Sequence, residues 1–211
     1  MALVPKPNLR RRQLLLRLGL LTAGVSAGLL ARREGSEARA QADMSDFCVL
    51  APPQPYHAGS GLGLLQPRPI PADARCPVCG MFPARSPEWA AQLIFSDGAT
   101  QFFDSPVSLL IYLQDVGRYA RGRSAADVAA RYVRDAGGKP NQPGAWLDAD
   151  QAVFVSGSDA LGPMRAGNLP AFADRAAAEA FAQRRGGETL RLAEMTSALL
   201  RRLDPRAHLG H

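Results

Sequence analysis

The chain has 211 residues, of which 46% are hydrophobic, and a formal net charge of +6. This charge is concentrated at the amino terminus, because residues 1–42 hold eight Lys and Arg against two Asp and Glu, and the remainder holds 17 of each sign. The net positive charge of the whole chain therefore gives no support to a nucleic-acid partner for residues 43–211.

Residues 1–42 have the composition of an export signal. Arg11 and Arg12 precede an apolar run at 18–31, and small residues at 38–42 suit a signal peptidase. Paired arginines followed by leucines resemble a twin-arginine signal, and the general secretory route is the alternative. The apolar run is shorter than the about 20 residues that a membrane span needs, so cleavage is favoured over retention as an anchor. We therefore expect a periplasmic protein, with membrane association through this segment as the second possibility.

Residues 43–72 are rich in Pro and Gly, which disfavours helix and sheet alike and predicts an extended, semi-rigid arm. Cys48 and His57 lie on this arm. Nothing fixes the distance from either side chain to a folded domain, so we expect both to be solvated rather than metal ligands. The residues before Cys48 do not form a lipobox.

Cys76, Cys79 and Met81 place two thiols and a thioether within six positions. Soft sulfur ligands favour Cu(I), whereas a neutral thioether adds little to a Zn(II) site. In an extended segment Cys79 and Met81 project from the same side of the chain, and Gly80 between them lets the backbone bend. The pattern predicts a copper site built from sulfur.

Other interpretations of the C-x-x-C pair stay open, since it also fits a redox disulfide, half of a zinc site or a structural staple. A redox pair is expected to open a helix, whose dipole lowers the thiol pKa, but Gly80 and Pro83 disfavour a helix here. A closed zinc site needs four Cys or His ligands. The three histidines lie far from the pair in sequence, at His57, His208 and His211, and we expect the two near the carboxyl terminus to be solvated.

The sequence downstream of this motif predicts two β-β-α-β modules. Asp97-Gly98 between two apolar runs is a strong hairpin signal, and Asp104-Ser105-Pro106 puts an acceptor side chain before a proline at a first helical position. Asp174 caps a second helix that Gly186 ends. The first module is expected to contain strands at 89–95, 99–103 and within 128–135 with a helix at 106–116, and the second strands at 152–155, 169–172 and 189–192 with a helix at 174–185.

The repeated order indicates an internal duplication, because Phe103-Asp104-Ser105 and Phe172-Ala173-Asp174 each end a strand and open a helix. We expect an α+β fold in which both modules pack as one compact domain. Asp97 and Asp104 are interpreted as turn and cap residues, and no catalytic residue is identified. The predicted boundaries are 73–195 for the domain, 73–136 and 145–195 for its modules, and 196–211 for a C-terminal tail.

A family resemblance rests on the order and spacing of four motifs. They are Cys76-Pro77-Val78-Cys79-Gly80-Met81, Ser96-Asp97-Gly98 with Phe102-Phe103-Asp104, Trp146-Leu147-Asp148-Ala149, and Gly162-Pro163-Met164 before Pro170-Ala171-Phe172. Together they resemble the nitrous oxide reductase accessory protein family, NosL, over about residues 73–194. The resemblance implies an exported, frequently lipid-anchored Cu(I) chaperone that supplies copper to the copper-sulfide cluster of nitrous oxide reductase. It also implies a pair of β-β-α-β modules similar to a domain of organomercurial lyase.

The resemblance further implies Cu(I) ligands at Cys79 and Met81, in the Cys-Gly-Met motif, and at Met164, in the Pro-Met motif. Cys76 is interpreted as a fourth ligand, with a transfer relay or half of a reversible disulfide as alternatives. A non-catalytic metallochaperone with an exported cuproprotein as its partner is the main hypothesis. The alternative is a thiol-disulfide oxidoreductase, or a reductant of copper-site assembly, that uses Cys76 and Cys79 as its redox pair.

Overall fold

The computed structural model describes residues 51–139, 142–165 and 168–204, which belong to the unit Val49–His211. The predicted export signal, Cys48 and the two histidines near the carboxyl terminus lie outside the described residues. Within the described part of the chain, no helix combines the length and apolarity needed to cross a bilayer.

The first module folds around an Asp-Gly hairpin. Asp97 Oδ1 accepts a hydrogen bond from Ala99 N at 3.0 Å, and Gly98 has a φ of +82°, which glycine adopts without strain. Ser105 caps the first helix by accepting a bond from Ser108 N at 3.3 Å. The elements are β1 (Ala91–Phe95), β2 (Thr100–Phe103), α1 (Pro106–Gln114), α2 (Val116–Tyr119) and β3 (Val128–Arg134).

The second module repeats this order. Asp174 caps its helix by accepting a bond from Ala176 N at 3.1 Å, and the helix ends at Gly186. The elements are β5 (Val153–Ser156), β6 (Ala171–Phe172), α3 (Arg175–Arg185) and β7 (Glu188–Arg191). The strand orders are β2-β1-β3 and β6-β5-β7, and all neighbours within these sheets are antiparallel. Each module therefore puts its first strand between its second and its last, which confirms the predicted pair of β-β-α-β modules.

The two modules share one hydrophobic core, as predicted. Leu93, Phe103 and Tyr112 of the first module are fully or almost fully buried in the same cluster as Phe154 and Leu169 of the second. The two sheets also meet where Asp135, just after β3, forms a parallel bridge with Ala171 of the edge strand β6. A smaller cluster lies under α3 and consists of Val153, Val155, Phe172 and Ala178.

Two further elements were not predicted from the sequence. Strand β4 (Trp146–Asp148) pairs with β3 and widens the first sheet to four strands. Helix α4 (Ser197–Leu203) falls in the segment predicted to be a tail, where Thr196 caps it by accepting a bond from Leu199 N at 3.2 Å. Leu200 of α4 is only 5% exposed and belongs to the shared core. The carboxyl-terminal segment therefore contributes to packing as far as Leu203.

The described part of the predicted arm, residues 51–72, runs along the first sheet. Gln54 exchanges two backbone hydrogen bonds of 2.7 Å with Thr100. Arg68 N donates to the Oε1 atom of buried Gln92 at 2.9 Å, and Arg68 Nη2 donates to Gly98 O at 2.9 Å. The arm thus reaches the domain through specific polar contacts, while His57 on it is exposed.

Candidate metal centre

The segment Cys76–Met81 is a closed loop. Cys76 N donates a hydrogen bond to Met81 O at 2.8 Å, and Gly80 N donates to Cys76 O at 2.8 Å. Gly80 has a φ of +76°, in the left-handed region that costs other residues energy. A Cβ atom at Gly80 would meet nothing within 4 Å, so glycine is required here by backbone conformation rather than by lack of space. The pair Cys76 and Cys79 therefore sits in a tight turn, not at the start of a helix.

Three donor atoms converge at this loop. The Sγ atoms of Cys76 and Cys79 and a carboxylate oxygen of Asp104 all lie within 4.8 Å of one another. Both thiols are free. Cys76 is fully buried, Asp104 is 2% exposed, and Cys79 is half-buried. The cluster is therefore open to solvent on the Cys79 side and closed on the Cys76 side.

The buried thiol is held in its protonated form. Burial raises the pKa of the Cys76 thiol well above its ordinary value, and its hydrogen bond with Cys79 and the negative charge of Asp104 raise it further. A backbone hydrogen bond from Asp104 opposes this rise in the pKa. A metal cation would compete with that proton, because a thiol must be deprotonated to act as a strong ligand.

The hydrogen bonding of Asp104 indicates whether this cluster of donor atoms suits a cation. Its Oδ1 atom is buried and has no hydrogen-bond partner among the described residues. An unpartnered buried polar atom costs about 1–3 kcal/mol, and more when the group is charged. A cation next to the two thiols would offset that cost. The buried donor set therefore fits a positively charged ligand.

Asp104 was predicted to be a cap, and that prediction is wrong. Ser105 provides the capping oxygen of α1, and Asp174 provides it for α3. Both are the third residue of the repeated strand-to-helix motif, whereas Asp104 is the second, where the other module has Ala173. This mismatch is the sequence signal that marks Asp104 as available for another role. Asp97, by contrast, takes the predicted turn role and also pairs with Arg123 at 2.7 Å.

The two methionines lie on separate loops. Met81 is half-buried, and its carbonyl group closes the cysteine loop. Met164 is half-buried in a turn that Arg165 N closes by donating to Gly162 O at 2.8 Å. A Cβ atom at Gly162 would come within 2.2 Å of the Nδ2 atom of buried Asn168, so this turn of the second module is packed against Asn168. The structure brings Cys76 and Cys79 together with Asp104, and ligation by Met81 and Met164 stays a prediction.

Comparisons with known proteins identify a family and relatives of this chain. The family model described as NosL matches residues 67–200. The "Copper-binding lipoprotein NosL" of Achromobacter cycloclastes is 34% identical over 128 residues, which cover 58% of this chain and 63% of that relative, less than two thirds of its length. The protein of the same name from Stutzerimonas stutzeri is 31% identical over 146 residues, which cover 69% of this chain and 74% of the relative.

A solved structure supports the same assignment. The crystal structure of the copper chaperone NosL from Shewanella denitrificans superimposes with a TM-score of 0.54 at 27% sequence identity. The match covers 63% of this chain and 97% of that one. Since the family model spans more than half of the sequence and includes the cysteine loop, Asp104 and the Met164 turn, the chain belongs to the NosL family.

Proposed function

We propose that this chain is a periplasmic Cu(I)-binding metallochaperone that carries copper as cargo and delivers it to nitrous oxide reductase or a similar exported cuproprotein. The observation that supports this most directly is the convergence, at the loop that also carries Met81, of two free thiols and a buried carboxylate whose Oδ1 atom has no hydrogen-bond partner among the described residues. Relatives named as copper-binding share the family, which makes copper the expected cation.

The proposed Cu(I) ligands are Cys79, Met81 and Met164, with Cys76 as the fourth. A thiolate and two thioethers favour Cu(I) because soft sulfur suits a soft ion, and the thioethers disfavour Zn(II). The carboxylate of Asp104 is a hard donor, so its contribution is electrostatic: its negative charge beside the thiols favours a cation over a neutral site.

Exposure of these groups suits a protein that gives up its metal. Cys79, Met81 and Met164 are half-buried, whereas Cys76 is fully buried. An acceptor can replace the accessible ligands one at a time, so copper need not be released into solvent. Copper stays Cu(I) throughout, because each bond from copper to a sulfur of this chain is exchanged for a bond to a sulfur of the acceptor.

The location and the partner are part of the same proposal. Residues 1–42 have the pattern of a twin-arginine export signal, and the two relatives are named lipoproteins. We place the folded unit in the periplasm, with membrane association through an uncleaved amino-terminal segment as the second possibility. Nitrous oxide reductase is the partner that the family resemblance implies, and no catalytic turnover is required of this chain.

A second candidate function is thiol-disulfide exchange, or reduction of a copper site during its assembly. The proximity of the two free thiols favours it, because their Sγ atoms lie within 4.8 Å. Two observations oppose it. The pKa of Cys76 is raised rather than lowered, and the pair lies in a turn instead of at a helix amino terminus.

An anaerobic competition titration against a chromophoric Cu(I) chelator separates the two functions. Met81→Leu and Met164→Leu each remove a thioether at nearly constant side-chain volume. Met195→Leu is the matched control, because Met195 packs against the core and lies outside the cysteine loop. We expect one tightly held Cu(I), weakened by Met81→Leu, Met164→Leu and Cys79→Ser but not by the control. Binding that ignores both methionines while the protein exchanges disulfides would establish the second function instead.

A further inference from the structure

Two arginines share the ring that follows the cysteine loop. The guanidinium carbon of Arg75 lies 4.1 Å from the ring centroid of Phe82, and that of Arg85 lies 4.7 Å from it. Both distances are within the range of a cation–π interaction. Arg75 and Arg85 are exposed, and Phe82 is half-buried directly after Met81. These three residues are called the Arg75–Phe82–Arg85 surface.

The backbone fixes this surface to the loop. Arg75 Nη1 donates a hydrogen bond to Gly80 O at 3.1 Å. Arg85 ends the 3-10 turn Pro83–Arg85, in which Arg85 N donates to Phe82 O at 3.0 Å and Pro83 is buried. Two positive charges are therefore held at the edge of the proposed copper site instead of moving freely on long side chains.

The positive charges of Arg75 and Arg85 are available to a partner. Ion pairs within 4 Å join other arginines to carboxylates in the described part of the chain, but neither Arg75 nor Arg85 is in such a pair. Asp73 and Glu88 are the acidic residues nearest in sequence. Asp73 lines a cavity between Arg75 and the arm, whereas Glu88 lines a different cavity beside Trp89. Neither forms an ion pair with Arg75 or Arg85 among the described residues.

We propose that the Arg75–Phe82–Arg85 surface is the docking site for an acidic protein partner, namely carboxylate groups that flank the metal site of the copper acceptor. This inference rests on the proposed function. The planar guanidinium matches a carboxylate with two parallel N–H donors, so it orients a partner as well as attracting it. Complementary charges at the edge of a site increase the association rate more than the final affinity.

A lipid surface fits this feature less well. Electrostatic binding to anionic membranes uses clusters of about 4–8 Lys and Arg. The surface described here has two guanidinium groups, and both are stacked on an aromatic ring. Its position next to Cys79 and Met81 also places a bound carboxylate partner where sulfur ligands can be exchanged.

The test uses the exported protein loaded with Cu(I) and two synthetic acceptor peptides with the same Cys- and Met-containing motif. One peptide carries Asp and Glu around the motif, and the other carries Asn and Gln. Copper transfer is followed by stopped flow at low and high salt. The variants are Arg85→Glu and Arg85→Gln, and the control is Arg184→Glu, a charge reversal at an exposed residue in the last turn of α3.

We expect the acidic peptide to receive copper about tenfold faster than the neutral one at low salt, within the range of electrostatic steering. The advantage should fall several-fold in Arg85→Gln, disappear in Arg85→Glu and at high salt, and persist in Arg184→Glu. Thermal unfolding of each variant checks that the fold is kept, and Arg85→Gln serves if Arg85→Glu does not fold.

Equal rates for the two peptides would overturn the docking site even if Cu(I) is held tightly. Arg85-dependent binding to anionic vesicles, without a preference between peptides, would assign the surface to a membrane and also overturn it. If the wild type binds no Cu(I), the proposed function fails. Fluorescence anisotropy of the labelled acidic peptide on the copper-free protein then decides the docking site separately, since Arg85-dependent binding supports it and its absence overturns it.

Discussion

The carboxylate of Asp104, directly after β2, lies within 4.8 Å of the thiol of Cys76, on the loop that precedes β1. Both groups are buried, and the carboxylate has a free oxygen among the described contacts. The negative charge of the carboxylate therefore favours the protonated form of the Cys76 thiol. A cation that replaces the proton gains the attraction of Asp104 as well as the bond to sulfur.

Asp104→Asn should weaken Cu(I) binding, because it removes a negative charge while it keeps the size of the side chain. We expect a loss of about tenfold in affinity, which corresponds to about 1.4 kcal/mol. The pKa of Cys76 should move down towards its ordinary value, since the charge of Asp104 helps to raise it. The chelator titration measures the first effect, and the pH dependence of thiolate absorbance measures the second. An unchanged Cu(I) affinity would show that the carboxylate plays no part in binding.

The stability of the metal-free protein should fall at alkaline pH because of Cys76. Its pKa is raised in the folded state, so the folded protein keeps a proton that the unfolded chain releases above about pH 8.5. The contribution is complete below that pH and is lost as the pH rises towards the folded pKa. Urea unfolding between about pH 7 and pH 10 measures the slope. Cys76→Ala should flatten the slope and Cys79→Ala should keep most of it, and equal slopes in Cys76→Ala and wild type would contradict the assignment.

Gly80→Ala should destabilise the cysteine loop through the backbone alone. The positive φ disfavours alanine, and no neighbouring atom crowds the new methyl group, so the expected loss of stability is about 1–2 kcal/mol. Gly122→Ala is a matched control, because Gly122 has a φ of +78° and is equally uncrowded in an exposed turn. Both variants should lose similar stability in urea unfolding. Only Gly80→Ala should lower the Cu(I) affinity, and a similar loss of affinity in Gly122→Ala would point to a general effect of instability.

Gly162→Ala should displace the turn that carries Met164. The new methyl group would approach Asn168 Nδ2 to 2.2 Å, so either the turn or the amide has to move. We expect Cu(I) affinity to fall about as far as in Met164→Leu, while the reactivity of Cys79 towards a thiol reagent in the copper-free protein stays unchanged. The double variant with Asn168→Ala should recover part of the affinity, because it removes the clash. Wild-type affinity in Gly162→Ala would argue against Met164 as a ligand.

The repeated modules are predictable because their signals are local. The turn at Asp97-Gly98 and the cap at Asp174 depend on residues within a few positions of one another, and the structure confirms them. The cap of α1 was predicted one residue too early, because Ser105 rather than Asp104 provides it. Strand β4 has three residues, and helix α4 has seven, so neither gives a periodic pattern long enough to stand out. Their stability comes from pairing with β3 and from packing against the shared core.

The candidate site is only partly predictable, because part of it depends on tertiary contacts and not on local sequence. The spacing of Cys76, Cys79 and Met81 marks the loop, but nothing local indicates that Cys76 is buried and Cys79 is not. Cys76 belongs to the shared core, whose other members are distant in sequence, whereas Cys79 only packs against that core. The proximity of Asp104 to the two thiols likewise follows from tertiary contact and not from its position before a helix.

The shared core also bears on the proposed Cu(I) site, whose ligands would come from both modules. Each module covers apolar surface of the other, as Phe103 and Phe154 do in one cluster, so neither half is expected to fold alone. The cysteine loop precedes the first strand of one half, and Met164 belongs to the other. If both loops carry Cu(I) ligands as we propose, the shared core would hold them in the same relative position with and without copper. The copper-free protein would then be ready to reload.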